Sequence, residues 1–327
     1  TPEKTTGRAV FGIDVQFEGL KTAVVARAPV FGGSVKSFDA TAALAVAGVR
    51  KVVQVPSGVA VVADHFWAAK KGRDALSVDW DLGPNAGLDS DALLASYREL
   101  AKTDGANAAR KGDARAKIAA ASKTVEAEYL VPYLAHAAME PLNCTVRISA
   151  DKCELWVGTQ VPVFAQQTAA QVTGLPVEKI QVHNQLIGGG FGRRLEIDFV
   201  IHAVKVAKQV SYPLKVIWSR EEDTRHSTLR PFHYNHLSAG LDEQNRPIAW
   251  AHKVTGGSIL ARWAPAIFVN GIDGDAVRDA TGPYAFPNTN VQYVRHEPPK
   301  GITPAFWRGV GHTQNAFMVE GLLDELV

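Results

Sequence analysis

Only two of the 327 residues are cysteine, Cys144 and Cys153. That excludes a disulfide-stapled scaffold, and a chain of this length does not depend on one. No charge of one sign dominates, because 35 Lys and Arg stand against 33 Asp and Glu for a formal charge of +2. The basic stripe of a nucleic-acid-binding protein is missing, so that class is set aside. The longest apolar stretches, such as residues 59–63, fall far short of the ~20 residues that a membrane span requires. There is no Gly-x-Ser-x-Gly elbow, and neither cysteine sits beside groups that would activate it, so hydrolase chemistry has little support. The exception is Thr1, whose free amine would suit an N-terminal nucleophile, although nothing nearby supplies the strand setting that this chemistry uses.

What is present is a globular composition, 46% hydrophobic and 21% charged, enough to build a core. At roughly 150 residues per domain the length suggests about two domains. The first ninety residues alternate strand and helix signals. Residues 22–26, 49–55 and 59–63 are β-branched strand runs, 65–76 reads as a helix and 77–81 as a returning strand. Asp89 or Ser90 caps a helix that carries Leu93, Leu94, Tyr97 and Leu100 on one face. Residues 102–123 are small and charged, with few large apolar side chains, and read as a linker.

The block beyond it begins with an alternating strand at 125–131 and a hairpin of 145–148 with 154–157. If that hairpin turns at Asp151-Lys152, Cys144 faces Thr159 and not Cys153; the two thiols would bridge only under another register and in an oxidising compartment. A helix at 162–172 is stopped by Gly174 and Pro176. A short strand at 180–183 then runs into Gly188-Gly189-Gly190-Phe191-Gly192-Arg193-Arg194, with a helix expected from Leu195. Further strands are expected at 216–218, 234–241 and 248–254, completing an α+β pattern. The end, from Leu322, reads as the interior of an amphipathic helix, as though the chain were cut there.

The glycine loop is the sharpest local feature. Glycines let backbone approach a ligand closely, a following helix would aim its free N–H groups at that point, and Arg193 and Arg194 add charge. Neither a dinucleotide fingerprint nor a phosphate-binding P-loop fits the spacing. The alternative is a tight loop packing backbone on backbone. His226, His233 and His236, with Asp223 upstream, suggest a metal, but a spacing of three on a strand sends His233 and His236 to opposite faces. His136 and Glu140 lie four apart, and Pro141 ends any helix that would align them, so a satisfied polar contact is the plainer reading.

Four segments taken together resemble the large, molybdopterin-binding subunit of the molybdenum hydroxylases, the xanthine oxidase and aldehyde oxidoreductase family. They are His136-Ala137-Ala138-Met139-Glu140-Pro141, Trp156-Val157-Gly158-Thr159-Gln160, Gly188 to Arg194, and Phe306-Trp307-Arg308-Gly309-Val310-Gly311. Trp218-Ser219-Arg220-Glu221-Glu222 falls between the third and fourth, as in that family. The Met-Glu-Pro-Leu-Asn-Cys and Gly-Arg-Arg versions look most like isoquinoline 1-oxidoreductase β subunits and membrane-associated bacterial aldehyde dehydrogenases. The resemblance implies a small α/β hammerhead domain over 1–101, the linker 102–123, and over 124–327 the first, incomplete part of a molybdopterin-binding α+β domain.

Residue by residue, Gln160 matches the amide that faces an oxo ligand of molybdenum, and Phe191 and Gly192 border the metal's surroundings. Arg308 matches an arginine of the active-site wall. Gln160, Phe191 and Arg308 are thus the catalytic candidates, and Gly189, Gly190, Gly192, Arg193 and Gly309 join them around the cofactor. The metal hangs on the pterin's dithiolene, so no cluster of protein ligands is required. Leu195 stands where purine-oxidising relatives carry a carboxylate, and Val310 where they carry a second phenylalanine. Both changes point to a more apolar substrate, an aldehyde or an N-heteroaromatic ring.

The family's general base lies in a later half of the cofactor domain, and Glu320 does not match it. The implied function is therefore a part of a molybdenum-cofactor oxidoreductase that hydroxylates such carbons with water-derived oxygen, inactive by itself. Its cofactor would be molybdopterin, plain or as the cytosine dinucleotide, not held tightly by this portion alone. Implied partners are the remaining half of the cofactor domain, a small [2Fe-2S] subunit (two cysteines cannot ligate a cluster) and a cytochrome c acceptor. A periplasmic or membrane-associated location follows by analogy, with the cytoplasm otherwise. The alternative function is a non-catalytic binding or assembly module of the same fold.

Overall fold

Two mixed β-sheets, each backed by helices, organise the computed structural model, which describes residues 2–326. In chain order the strands are β1 (Lys21–Ala26), β2 (Ser34–Asp39), β3 (Val49–Val55), β4 (Gly58–Ala63), β5 (Ser77–Asp81), β6 (Ala106–Lys111) and β7 (Lys123–Val131). Then follow β8 (Asn143–Ile148), β9 (Cys153–Val157), β10 (Ile180–Asn184), β11 (Leu214–Ile217), β12 (His233–Leu241), β13 (Pro247–Gly256) and β14 (Asn288–Arg295). The helices are α1 (Pro2–Thr5), α2 (Thr41–Leu44), α3 (Phe66–Asp74), α4 (Ser90–Ala101), α5 (Ala114–Ala119), α6 (Pro162–Thr173), α7 (Asp198–Ala207), α8 (Arg220–Arg225), α9 (Leu260–Trp263) and α10 (Gly311–Leu326). The α+β class expected from the sequence is the class observed. Among the described residues no helix is long and apolar enough to cross a membrane.

Contacts divide the chain into two units: residues up to Ala86 with Ala135–Thr228, and Gly87–Leu134 with Leu229 onward. In the first unit seven strands run in the order β10-β9-β8-β11-β1-β4-β3. β1 pairs in parallel with β11, so the N-terminal strands and the later ones share a single sheet. β4 is buried along its whole length because both faces of the sheet are covered there. Ala60 and Val62 join Ala23 and Val25 against the core that takes in Val200 and Val204 of α7, while Val24 and Ala63 meet Ala68 and Ala69 of α3. Pro at the start of α6 and Gly174 at φ 81° at its end match the expected start and stop.

The β8–β9 hairpin pairs Ile148 with Cys153 and turns through Ser149–Lys152, as that run of turn residues suggests, one residue earlier than a turn centred on Asp151-Lys152. Both thiols are free and buried, and burial holds the Cys153 thiol up at about 11.

In the second unit the order is β6-β14-β13-β12-β7. One face carries Leu237, Ala239, Leu241 and Trp250 onto Met318, Val319 and Leu322 of α10. On the other face Tyr97 of α4 packs on Phe232 with ring centroids 4.5 Å apart. Residues 102–123, expected as a linker, instead hold β6, which pairs with β14, and α5, capped by the Asp113 carboxylate accepting from the Ala116 N–H. Their apolar side chains are small, and tertiary packing rather than local periodicity orders them.

His233 and His252 are both 1% exposed in this unit, and burial pulls both imidazoles down to about 4. Above the ordinary histidine value of ~6.5 neither the folded nor the unfolded chain binds these protons. Below it the unfolded chain takes them up and the folded one does not, so stability falls as pH drops from 6.5 toward 4. Each histidine contributes at most about 1.4 kcal/mol per pH unit. Urea denaturation at pH 7.5, 6 and 5 should show this decline, and His252→Gln should flatten it.

Candidate cofactor-binding site

Within the first unit a buried ion pair organises everything around the glycine loop. Arg194 and Glu140, with side chains 0% and 5% exposed, meet at 2.9 Å. The Arg194 guanidinium also donates to the backbone carbonyls of Gly189 (2.9 Å), Gly158 (2.9 Å) and Glu140 (3.0 Å). Glu140 Oε2 accepts the Gly188 N–H at 2.8 Å, and Oε1 accepts the Ile13 N–H at 3.0 Å and the Asn143 amide at 2.8 Å. The Glu140 N–H donates to the Gly188 carbonyl at 3.0 Å. One fork therefore ties the 136–141 segment, the strand end at Gly158 and both ends of the glycine loop. Burial pushes the Arg194 guanidinium below its usual value, and the facing Glu140 opposes that shift.

This clamp explains two of the glycines. A Cβ at Gly188 would lie 2.4 Å from the Glu140 Cβ, and one at Gly190 would lie 2.8 Å from Gln160 Oε1. Gln160 hangs on the same brace, since its N–H donates to the Arg194 carbonyl at 3.0 Å, beside the Thr159 hydroxyl at 3.1 Å. The Gln160 side-chain amide is exposed and takes no hydrogen bond from the described residues. Phe191 follows at φ 53° with its ring 41% exposed. The left-handed backbone of a bulky residue costs on the order of 1–3 kcal/mol and persists only where surrounding contacts impose it.

Two expectations about the loop are corrected here. The glycines do not open directly onto a helix: a 3-10 turn at Arg193–Leu195 intervenes, and α7 begins only at Asp198. Nor does Arg193 add free charge. Its guanidinium is 1% exposed, forked onto Asp198 at 2.8 and 2.7 Å, and donates through Nε to Ser227 at 2.6 Å. Asp198 occupies the helix start that a ligand's anion would need, and the charge is spent inside the fold. Leu195 is half-buried, and its N–H donates to the Gly192 carbonyl.

Arg308 belongs to the second unit. It lies in a turn closed by the Val310 N–H donating to Trp307 O at 2.7 Å. Gly309 sits at φ 79°, where a Cβ would come 2.1 Å from Thr313 Oγ1, and that hydroxyl donates to Arg308 O at 2.7 Å. Val310 is at φ 49°, an outlier for a β-branched residue. Of the six described non-glycine residues with positive φ, Ala137, Phe191 and Val310 lie in three of the four quoted segments. The other three, Asn245, Asn270 and Asp279, are types that tolerate this backbone.

His233 is buried, and His236 on the opposite side of β12 faces Glu126 at 3.6 Å. His226 lies in the first unit, where Asp223 of α8 pairs with Arg220. Among the described residues no three His, Cys, Asp or Glu side chains group to hold a metal. Thr1 lies outside the described residues. Glu140 is the satisfied polar contact that the sequence suggested, but its partner Arg194, 54 positions away, was not legible there.

Residues 99–327 match the family of molybdopterin cofactor-binding domains. The chain belongs to that family. Over 336 residues the chain is 31% identical to the isoquinoline 1-oxidoreductase subunit beta of Brevundimonas diminuta, covering 99% of this chain and 43% of the relative. It is 28% identical over 342 residues to the membrane-bound aldehyde dehydrogenase (pyrroloquinoline-quinone) of Gluconacetobacter polyoxogenes, covering 99% and 44%. Among solved structures, quinoline 2-oxidoreductase from Pseudomonas putida 86 matches with a TM-score of 0.75 at 17% identity, over 99% of this chain and 47% of that one, a likeness of fold. The chain thus spans under half the length of these three proteins.

The first unit fits the family's cofactor in two respects. It offers an unpartnered amide laid over a backbone that cannot carry a Cβ, and it needs no protein metal ligands. Glu140→Ala should strand the Arg194 charge and lower the unfolding free energy by about 3–5 kcal/mol. Gln160→Ala, at an exposed amide, should cost less than about 0.5 kcal/mol. Chemical denaturation of both variants measures the contrast.

Proposed function

We propose that this chain is the part of a molybdenum hydroxylase large subunit that presents Gln160 and the Gly188–Gly192 backbone to the molybdopterin cofactor. The observation that carries the reading is the Gln160 amide, without a hydrogen-bond partner among the described residues, lying over Gly190 beside the left-handed Phe191. When bound, the cofactor would supply two-electron redox and oxygen-transfer chemistry. The chain's own residues do the positioning. Gln160 would donate from its side-chain amide to an acceptor oxygen, and Gly189, Gly190 and Gly192 permit close backbone approach. The Phe191 ring would screen that point from water, and Leu195 would leave an uncharged, apolar border. Arg193 would contribute only backbone. In the second unit, Arg308, Gly309 and Val310 are assigned to the cofactor and the substrate pocket by the family resemblance, and the imposed backbone of Val310 supports that assignment.

The reaction class we assign is hydroxylation of an aldehyde or N-heteroaromatic carbon with oxygen from water, in keeping with the apolar Leu195 and Val310. No residue here matches the family's general base, so the chain by itself is expected to be inactive. The rest of the cofactor domain, a [2Fe-2S] subunit and a cytochrome c acceptor would complete it, in the periplasm or at a membrane, with the cytoplasm otherwise.

In the complete enzyme, Gln160→Ala or Arg308→Ala should lower turnover by about two orders of magnitude or more. The melting temperature should stay within about 2 °C of wild type. Unchanged turnover, or collapse of solubility in both variants, contradicts the proposal. Absence of molybdenum from the enzyme purified with its partners would instead favour a non-catalytic assembly module.

A further inference from the structure

On the face of the first unit's sheet turned away from α7, a groove of about 640 Å³ has no part in the reading above. At its floor lies Lys215 of β11, 1% exposed, between its cross-strand neighbours Thr22 and Thr145. A protonated lysine carries three N–H donors, yet Lys215 Nζ has one acceptor among the described residues, the Ile13 carbonyl at 2.6 Å. An under-satisfied buried ammonium is costly. Burial accordingly pulls the amine down to about 8, with Asp14 opposing the shift.

Trp218, 2% exposed, borders the same groove, with its ring turned to the opposite face against His202 of α7, ring centroids 5.9 Å apart. The Arg27 guanidinium stacks on its ring at 4.0 Å. The nearby carboxylate of Asp64 is already neutralised, held by Lys21 at 2.6 Å and Arg50 at 2.5 Å. At the rim, Arg220 donates to the Met139 carbonyl at 2.8 Å and is paired with Asp223 at 3.4 Å, which leaves Lys215 as the cation that faces a ligand. The walls are apolar: Leu20, Pro141, Phe66 and Trp67, the last 63% exposed and set edge-on to Phe66 with ring centroids 5.4 Å apart.

We propose that this groove binds an amphipathic carboxylate, an aryl or short-chain acid. Its head meets the Lys215 ammonium, and its apolar body lies against Leu20, Phe66 and Trp67. A single buried ammonium matches a monoanion better than a phosphate dianion, and an apolar-walled pocket with a precisely placed polar group is the usual form of a small-ligand site.

Calorimetric titration of the chain with phenylacetate tests this, with 2-phenylethanol as the uncharged counterpart. Saturable binding of phenylacetate is expected, at least about tenfold tighter than of the alcohol. Lys215→Met should weaken it about tenfold or more, and Trp67→Ala, at an exposed position that the fold does not need, about threefold. Circular dichroism checks that each variant is folded. No saturable phenylacetate binding, equal affinity for the alcohol, or a folded Trp67→Ala variant that binds as wild type would each overturn the proposal. Trp67→Ala keeps it open to refutation even if Lys215→Met fails to fold.

Discussion

The Glu140–Arg194 pair is the interaction on which the candidate site depends. Taking both charges out of water costs several kcal/mol per ion, and such pairs often contribute little net stability. What this pair provides is geometry. A planar fork with fixed donor directions reaches three carbonyls and a carboxylate at once. The carboxylate in turn gathers three N–H donors, including the Ile13 N–H from the N-terminal region. A loop of four glycines has no side chains with which to hold itself, so its shape must be imposed from outside. The fork imposes it.

Strain follows the same logic. Ala137, Phe191 and Val310 hold backbone conformations that their side chains disfavour, and each lies in a segment that marks the family. Next to Phe191 is an amide with no partner among the described residues, and next to Val310 a glycine closed against Thr313. Unfavourable local conformation persists where the surroundings over-determine it, and functional sites are where that happens. The neighbouring Arg193–Asp198 pair shows the contrasting case: similar chemistry spent wholly on anchoring α7 to the loop's end, leaving no charge for a ligand.

Much of the fold was legible because local signals agreed with it. The Asp89 cap, the Pro162 start and Gly174 stop of α6, the alternation in β7 and the strands β12 and β13 all appear where the pattern puts them. What escaped was set by distant partners. β6 and α5 lie in a stretch of small and charged residues, and they are ordered by pairing with β14, about 180 positions later in the chain. Likewise β1 reveals nothing locally of its parallel neighbour β11. For the site, the four segments and Gln160 could be named from resemblance. The double use of Glu140, the commitment of Arg193 to Asp198 and the delayed start of α7 could not, since each is decided by hydrogen-bond geometry across the fold.

Hydrogen–deuterium exchange over residues 185–197, comparing wild type with Arg194→Lys, tests the bracing role most directly. Lysine keeps the charge but cannot reach three carbonyls and a carboxylate together. The account predicts markedly faster exchange across the glycine loop and at the Gln160 N–H, with β12–β14 as protected as before. Unchanged protection of the loop in the lysine variant would contradict it.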